Sequence, residues 1–338
     1  MIRAAIHDLV AGRTLDRGQA RASMDDIMRG EATDSEIAGF LIALRMKGES
    51  VEEIVGMVES MRAHATMISA PDGAVDTCGT GGDGAGTFNI STAAALVMRG
   101  AGAVVAKHGN RASSSACGSA DVLEALGVAI SLPPAAAEAC LRRAGIAFLL
   151  APNFHPSMRH ASVPRREVGV RTVFNLLGPL ANPAGVRRQS VGVGSAEATE
   201  KLAQVLAALG HERALVFHGA DGLDELSTTG PSTVYDVGGG GLRSFLLDPA
   251  ELGLPVAVKT DLAGGDARRN AEIVRAVLAG AQGAPQDVVV LNAAAGLMAA
   301  GLVPTMAAGL DASRESISSG AARSALAELV RVSTSLAA

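Results

Sequence analysis

Val75-Asp76-Thr77-Cys78-Gly79-Thr80-Gly81-Gly82-Asp83-Gly84, followed by Thr87-Phe88-Asn89-Ile90-Ser91-Thr92 and a helical run from Ala93, is the stretch on which the reading of this 338-residue chain turns. A short β-rich run enters a string of glycines, and the glycines lead into a helix start. Lacking side chains, such a turn lets backbone amides close on an oxyanion, while the helix start adds unpaired N–H groups and the positive end of its dipole. The pattern is neither G-x-x-x-x-G-K-S/T nor G-x-G-x-x-G, so neither an ordinary NTPase nor a dinucleotide fold is indicated. Taken alone, a glycine-rich turn is often only a tight turn.

A second segment of the same kind follows the next β-rich run: Lys107-His108-Gly109-Asn110-Arg111-Ala112-Ser113-Ser114-Ser115-Ala116-Cys117-Gly118-Ser119-Ala120-Asp121. Lys107 and Arg111 supply charge, the serines supply neutral donors, and the glycines let the loop fold tightly around phosphate oxygens. A solvated serine-rich loop is the plainer reading. Two such loops, each after a strand, make coincidence less persuasive.

Outward from these loops the chain divides. Before them, apolar residues recur at helical spacing in four groups: Ile2, Ile6, Leu9; Ala20, Met24, Ile27, Met28; Ile37, Phe40, Leu41, Leu44; Ile54, Val58, Met61. Thr33 with Glu36 and Ser50 with Glu53 have capping-box spacing, and Gly30 and Gly48 are placed as helix stops. This predicts a small α-helical domain over 1–70, joined by helices from about 155–185, whose roles are packing, dimer contact and closure over a site made elsewhere. After Pro71-Asp72-Gly73, β-rich runs (Ala103-Ala106, Arg213-Phe217, Val288-Leu291) alternate with helical ones (Glu197-Leu209, Ala267-Leu278). That alternation predicts a large α/β domain over 71–338, with a mostly parallel sheet flanked by helices. Val234-Val237 and Leu242-Leu247 flank four glycines and read as a hairpin, which makes the sheet mixed. The uncharged run Val288 to Leu310 is long enough to span a bilayer. Asn292, Pro304 and three glycines argue instead for a buried strand Val288-Leu291, a short alanine-rich helix and a loop.

Composition narrows the function. The net charge is −5 and only eight residues are aromatic, which argues against nucleic acid as a partner. Between Arg99 and Arg188, however, eleven Lys/Arg face four Asp/Glu, so this segment is +7 and the remainder −12. A local basic field suits a small polyanion, although a solvated face with a chance imbalance reads equally well from charge alone. Cys78, Cys117 and Cys140 are odd in number and lack C-x-x-C spacing, which fits a reducing cytoplasm better than a disulfide framework or zinc site. The first residues lack the apolar segment of an export signal, and no membrane association is expected.

GTGGD, FNIST and KHGNR-x-x-SS-x-x-GSAD, in this order, resemble the anthranilate phosphoribosyltransferase family, which is related in fold to pyrimidine nucleoside phosphorylases. Pro152-Asn153-Phe154-His155-Pro156, Gly169 through Pro183 (GVRTVFNLLGPLANP) and His218-Gly219-Ala220-Asp221-Gly222-Leu223-Asp224-Glu225 are similar to further family segments. So is the helical stretch from Gly30-Glu31-Ala32 to Arg45-Met46-Lys47-Gly48-Glu49, and the resemblance spans nearly the whole chain. It implies transfer of the phosphoribosyl group of 5-phosphoribosyl 1-diphosphate (PRPP) to the amine of anthranilate, with Mg2+ as cofactor, in a homodimer. By the same resemblance Gly79, Gly82, Asp83, Thr87, Asn89, Ile90, Ser91 and Thr92 surround the donor. Lys107, His108, Gly109, Asn110, Arg111, Ala112, Ser113, Ser114, Ser115 and Ser119 extend that site. Asn110 and Arg165, with the Gly79 backbone, would hold anthranilate, the planar guanidinium suiting a carboxylate. Ser91, Asp224 and Glu225 match the family's metal ligands, and oxygen donors with one or two carboxylates suit magnesium.

One departure stands out. Here proline immediately precedes the proposed anthranilate arginine (Ser162-Val163-Pro164-Arg165), whereas the family often places it two residues before, so the adjacent Arg166 competes for the role. Arg171 is a further basic candidate that reads more readily as structural, and His108 and His155 read as hydrogen-bonded structural histidines more readily than ligands. No residue is assigned as a general base. The rival functions are a nucleoside phosphorylase, whose phosphate-site pattern differs from KHGNR, and a non-catalytic nucleic-acid-binding relative, which should have lost the metal and anthranilate residues.

Overall fold

The protein is described here by a computed structural model covering residues 1–112, 116–239 and 241–337. Ser113, Ser114 and Ser115 of the second loop, and one glycine of the hairpin turn, lie outside the described residues.

Four helices open the chain: α1 (Ile2–Val10), α2 (Arg17–Met28), α3 (Asp34–Lys47) and α4 (Val51–Ala63). The expected boxes form, with Thr33 and Glu36 closing the start of α3, and Ser50 and Glu53 that of α4. A third box, Asp16 with Gln19 at α2, was not singled out from the sequence. Glu53 does more than cap. Fully buried, it accepts from Ser50 N (2.7 Å), Leu15 N (2.9 Å) and Lys47 Nζ (2.9 Å), so the charge is paired and tied to the loop before α2. Both expected glycine stops hold: Gly48 ends α3 with φ 85°, and Gly30, at φ 71° directly after the C-cap Arg29, closes α2, its N–H donating to Ile27 O (3.0 Å) and that of Glu31 to Asp26 O (2.9 Å).

The remainder runs β1 (Val75–Gly79), α5 (Ile90–Gly100), β2 (Val105–Gly109), α6 (Ser119–Ala125), α7 (Pro134–Ala144), β3 (Ile146–Leu150), α8 (Ala151–Phe154), α9 (Arg159–Val168), α10 (Phe174–Leu180), β4 (Arg188–Gly192), α11 (Ala196–Ala208) and β5 (Arg213–Gly219). A hairpin follows, β6 (Ser232–Gly238) and β7 (Gly241–Leu247), and then α12 (Ala267–Leu278), α13 (Ala284–Ala299), α14 (Met306–Ser318) and α15 (Ala321–Ala337). The seven strands lie in the order β3-β2-β1-β4-β5-β6-β7, parallel as far as β5 and antiparallel across β6 and β7. This is the mixed, mostly parallel sheet expected. The chain leaves β1 toward β2 and β3 and returns on its other side as β4, so the order reverses beside β1, where open α/β sheets leave a ligand crevice at the carboxyl ends of the strands.

Side chains alternate across β5: Ala214 and Val216 face the core shared with the amino-terminal helices, and Leu215 and Phe217 the core under α5 and α13. α10 and α11 contact α4, α9 contacts α2 and α3, and Arg62 Nε of α4 donates to Leu180 O at the end of α10 (2.9 Å). The helical layer is thus packed onto one face of the sheet.

One expected strand is a correction. Val288-Val289-Val290-Leu291 is the interior of helix α13, not a strand. The run is apolar on every side, a pattern that fits a wholly buried helix as well as a buried strand, and burial of nearly every residue from Val288 to Ala299 outweighs the β preference of three valines. The following residues form α14 instead of a loop alone. Among the described residues no helix is long and apolar enough to cross a membrane.

The fold also holds neutral imidazoles. Burial, and secondarily the charge of Arg62, lower the pKa of His211 to about 4, although its Nδ1 contact with Leu206 O works the other way. A histidine with a depressed folded pKa gives stability that is present above its unfolded value near 6.5 and is lost as pH falls toward 4. Relative to His211→Asn, the parent should therefore lose about 3 kcal/mol between pH 6.5 and 4. Urea titrations of both proteins across that range would check it, and parallel pH curves would refute it.

Candidate active site

Three sequence-distant loops meet at the carboxyl ends of β1, β2 and β5. The β1 loop follows Gly79, where Thr80 N donates to Gly192 O (2.9 Å) and Thr80 Oγ1 accepts from Gly194 N (3.0 Å), so the turn is anchored to the end of β4. Gly82 lies at φ 75°, and a Cβ there would collide with the Arg171 guanidinium. Asp121 shapes the β2 loop: its Oδ2 accepts from Ala112 N and Gly118 N, both at 2.9 Å. The β5 loop brings Asp224 and Glu225 against the other two. Asp224 Oδ2 accepts from Gly81 N (2.7 Å), and Glu225 Oε1 from Ser91 N (3.1 Å) at the start of α5.

These loops enclose a polar hollow of about 370 Å3. Every described donor and metal residue carried over from the family resemblance lines it, including Ser91, Asp224 and Glu225 together. Ser113, Ser114 and Ser115 lie outside the described residues. Not every side chain is free to bind. The amide of Asn89 accepts from Asn270 Nδ2 (2.9 Å) and donates to Cys117 O (3.1 Å). Arg111 is forked onto Asp121 and Glu124 at 2.9 to 3.0 Å, so much of its charge is already answered.

The acidic end is suited to a cation. Burial and the neighbouring Asp83 charge push Asp224 up to about 7, and burial with the Asp224 charge raises Glu225 further above its usual range, Lys107 opposing. Asp83 Oδ2 is buried with no hydrogen-bond donor among the described residues. Among the described residues no three acidic, histidine or cysteine side chains converge on one metal position, but the Asp224 and Glu225 carboxylates and the Ser91 hydroxyl are oxygen donors of the kind magnesium takes, and such an ion would relieve the carboxylates' mutual repulsion.

A second hollow of about 640 Å3 adjoins the first, and Gly79, His108 and Asn110 line both. Its walls are mostly apolar, with Met61, Met158, Phe174 and Pro179 among them. Arg165 projects from α9 into it, 4.9 Å above the Phe174 ring, and among the described residues no carboxylate forms an ion pair with it. Arg166 is exposed and does not line the hollow. Pro164 sits within α9, which continues to Val168, so the shifted proline leaves Arg165 facing the cavity. His108 and His155 lie with ring centroids 5.2 Å apart. Burial, then His155, lowers His108 to about 3, and its Nδ1 lies 3.3 Å from Gly178 O, the environment of a neutral structural histidine. Sequence reasoning missed Arg159, six residues before Arg165 on the same helix, and Asn175, which lines both hollows; Arg171, the further basic candidate, lies at the polar hollow. Asn175 lies within GVRTVFN, a stretch whose resemblance to the family was noted without a role for that asparagine.

Comparison with known proteins now decides the family. Residues 71–323 match the Glycosyl transferase family a/b domain, and residues 3–65 its helical bundle domain. The anthranilate phosphoribosyltransferase of Rubrobacter xylanophilus is 52% identical over 338 residues, 100% of this chain and 99% of that protein. The chain belongs to the anthranilate phosphoribosyltransferase family. Among solved structures, the anthranilate phosphoribosyltransferase of Thermus thermophilus superposes with a TM-score of 0.93 at 43% identity, covering 98% of this chain and 99% of that one. That of Saccharomyces cerevisiae, in complex with PRPP and Mg, gives 0.91 at 28% identity, covering 99% and 98%. Another structure of the yeast protein holds 4-fluoroanthranilate.

Proposed function

We propose that the protein transfers the phosphoribosyl group of PRPP to the amine of anthranilate, giving N-(5-phosphoribosyl)anthranilate and diphosphate in tryptophan biosynthesis. The observation that carries this is the junction of the two hollows: one walled by glycines, amides and acidic oxygens, the other mostly apolar with Arg159 and Arg165 in its wall, meeting at Gly79, His108 and Asn110.

In this reading the diphosphate of the donor is received by the Gly79–Asp83 turn and the start of α5 through amides other than Thr80 N, Gly81 N and Ser91 N, which already donate to Gly192, Asp224 and Glu225. Ser91, Asp224 and Glu225 would hold Mg2+, which when bound offsets the negative charge gathering on diphosphate as it leaves. Lys107, whose Nζ donates to Thr77 O (2.5 Å) and reaches Ser91 Oγ (3.4 Å), adds a fixed positive charge beneath that end. Arg165 takes the anthranilate carboxylate and Asn110 orients the ring, so the amine nitrogen faces the anomeric carbon. The C–N bond forms as the C–O bond to diphosphate breaks, with positive charge developing on ribose, and the amine proton leaves afterward. An aromatic amine is already neutral near pH 7, so no strong base is required, and His108 with its low pKa is not one. We take 1–70 with 155–185 as a helical unit that closes over the site, and expect a cytoplasmic homodimer joined through it.

The test is the loss of anthranilate fluorescence on adding PRPP, run with magnesium and with chelator; no loss would defeat the reading. The same assay separates the arginines. A hydrogen-bonded charge contributes about 1.5–3 kcal/mol, so Arg165→Ala should raise the KM for anthranilate roughly 10- to 150-fold, while Arg166→Ala stays within about twofold. The reverse order would move the carboxylate to Arg166.

A further inference from the structure

β1 and β2 are neighbours that barely pair. Their ladder holds at one register, Val75 opposite Val105, whereas β1–β4, β2–β3 and β4–β5 each run for five. Val75 N donates to Val104 O (2.9 Å), and a regular parallel continuation would send Thr77 N–H to Ala106 O and His108 N–H to Thr77 O. Side chains take those places instead. Asn182 Nδ2 donates to Ala106 O (2.8 Å), Lys107 Nζ donates to Thr77 O (2.5 Å), and Asp76 Oδ1 accepts from His108 N (3.2 Å). Asp76 Oδ2 accepts from Asn182 Nδ2 (2.8 Å) and, more weakly, from Gln189 Nε2 (3.5 Å).

Asp76 is 0% exposed, Asn182 2% and Lys107 4%. Two zipped strands would need none of these groups, and burying a carboxylate is costly unless it is paired and hydrogen-bonded. The gap lies directly beneath the junction of the two hollows, because the strands end at Gly79 and Gly109, and Asn110 follows. A full ladder would draw His108 and Thr77 together and narrow the crevice between the two loops.

We propose that Asp76 and Asn182 are positioning residues that hold β1 and β2 unzipped, setting the distance between the Gly79 turn and the His108–Asn110 segment so that the acceptor amine lies over the donor carbon. The inference rests on the proposed transferase reading. Neither residue lines either hollow, so their effect passes through the His108 backbone and the strand ends.

Asp76→Asn in the full chain keeps the shape but turns an N–H toward a donor, either Asn182 Nδ2 or His108 N. Misplacing reacting groups by about an ångström costs on the order of a hundredfold. At saturating substrates kcat should fall roughly 30- to 100-fold, a clearly larger factor than any rise in the KM for PRPP, because the loops that line the polar hollow keep their own anchors at Gly192, Gly194 and Asp121. Amide exchange at His108, measured without ligands, should quicken at least about tenfold as the N–H loses its carboxylate. Asn182→Ala should show the same split at smaller size, and the double variant should be little worse than Asp76→Asn. A folded Asp76→Asn protein with kcat within threefold of the parent, or one losing activity only in proportion to its unfolded fraction, would overturn the inference and leave Asp76 a structural residue. Should Asp76→Asn fail to fold, Asn182→Ala decides by the same criterion. A parent that forms no product defeats the transferase reading itself, whereas an active parent with an unaltered variant defeats only this proposal.

Discussion

Asp224→Asn combined with Glu225→Gln is expected to lower kcat/KM for PRPP by about a thousandfold or more, the rate equivalent of roughly 4 kcal/mol of leaving-group stabilisation. Stability should move the other way. Both carboxyls have pKa values raised by burial and by neighbouring acids, so each ionised form costs the folded state stability above its usual pKa. The neutral replacements remove that cost and keep an oxygen for Gly81 N and Ser91 N. At pH 8 without metal the variant should therefore melt no lower than the parent. Millimolar magnesium with diphosphate should raise the parent's Tm and leave the variant's unchanged, since only a folded state that binds the ligand is stabilised. A variant retaining more than a tenth of the parent's kcat/KM would remove Asp224 and Glu225 from the metal site.

The second large effect comes from a missing side chain. Gly192 closes β4, and a Cβ there would collide with the backbone carbonyl of Asp224. Backbone on both sides leaves no flexible group to yield, so Gly192→Ala must shift β4 or lift the acidic loop. We expect a loss of about 3 kcal/mol or more of stability, at the large end for a single methyl group. If the protein stays folded, the damage should show as weakened magnesium binding, because the loop carries both acids. Chemical denaturation and a magnesium titration of the purified variant would check this; unchanged values in both would mean that the approach of Asp224 to β4 is unimportant.

How much of this was legible beforehand depends on how far apart the interacting residues lie. Capping at Thr33 and Ser50, the helix Ala267–Leu278 and the β6–β7 hairpin were readable because their causes lie within a few residues. The two glycine-rich loops were readable because phosphate chemistry leaves an ordered motif, and the family resemblance gave their residues roles that neighbouring spacing alone could not. Val288–Leu291 was misread because local preference cannot tell a buried strand from a buried helix; only the packing around α13 distinguishes them. Arg165 against Arg166 was undecided in sequence, since neighbouring positions on a helix point about 100° apart and only the placement of α9 fixes which one meets the cavity.

The sequence by itself determined the helical and α/β segments, the chemistry of the loops and the set of oxygen donors, all of which follow from side chains and their near neighbours. Only the tertiary structure decided that Arg111 is answered by Asp121 and Glu124, that Gly192 makes room for Asp224, and that Asp76 reaches Asn182 across the gap between β1 and β2. Those contacts join residues from ten to more than a hundred positions apart, or turn on the close approach of two backbones, and chain order carries no record of such distances until the core has packed.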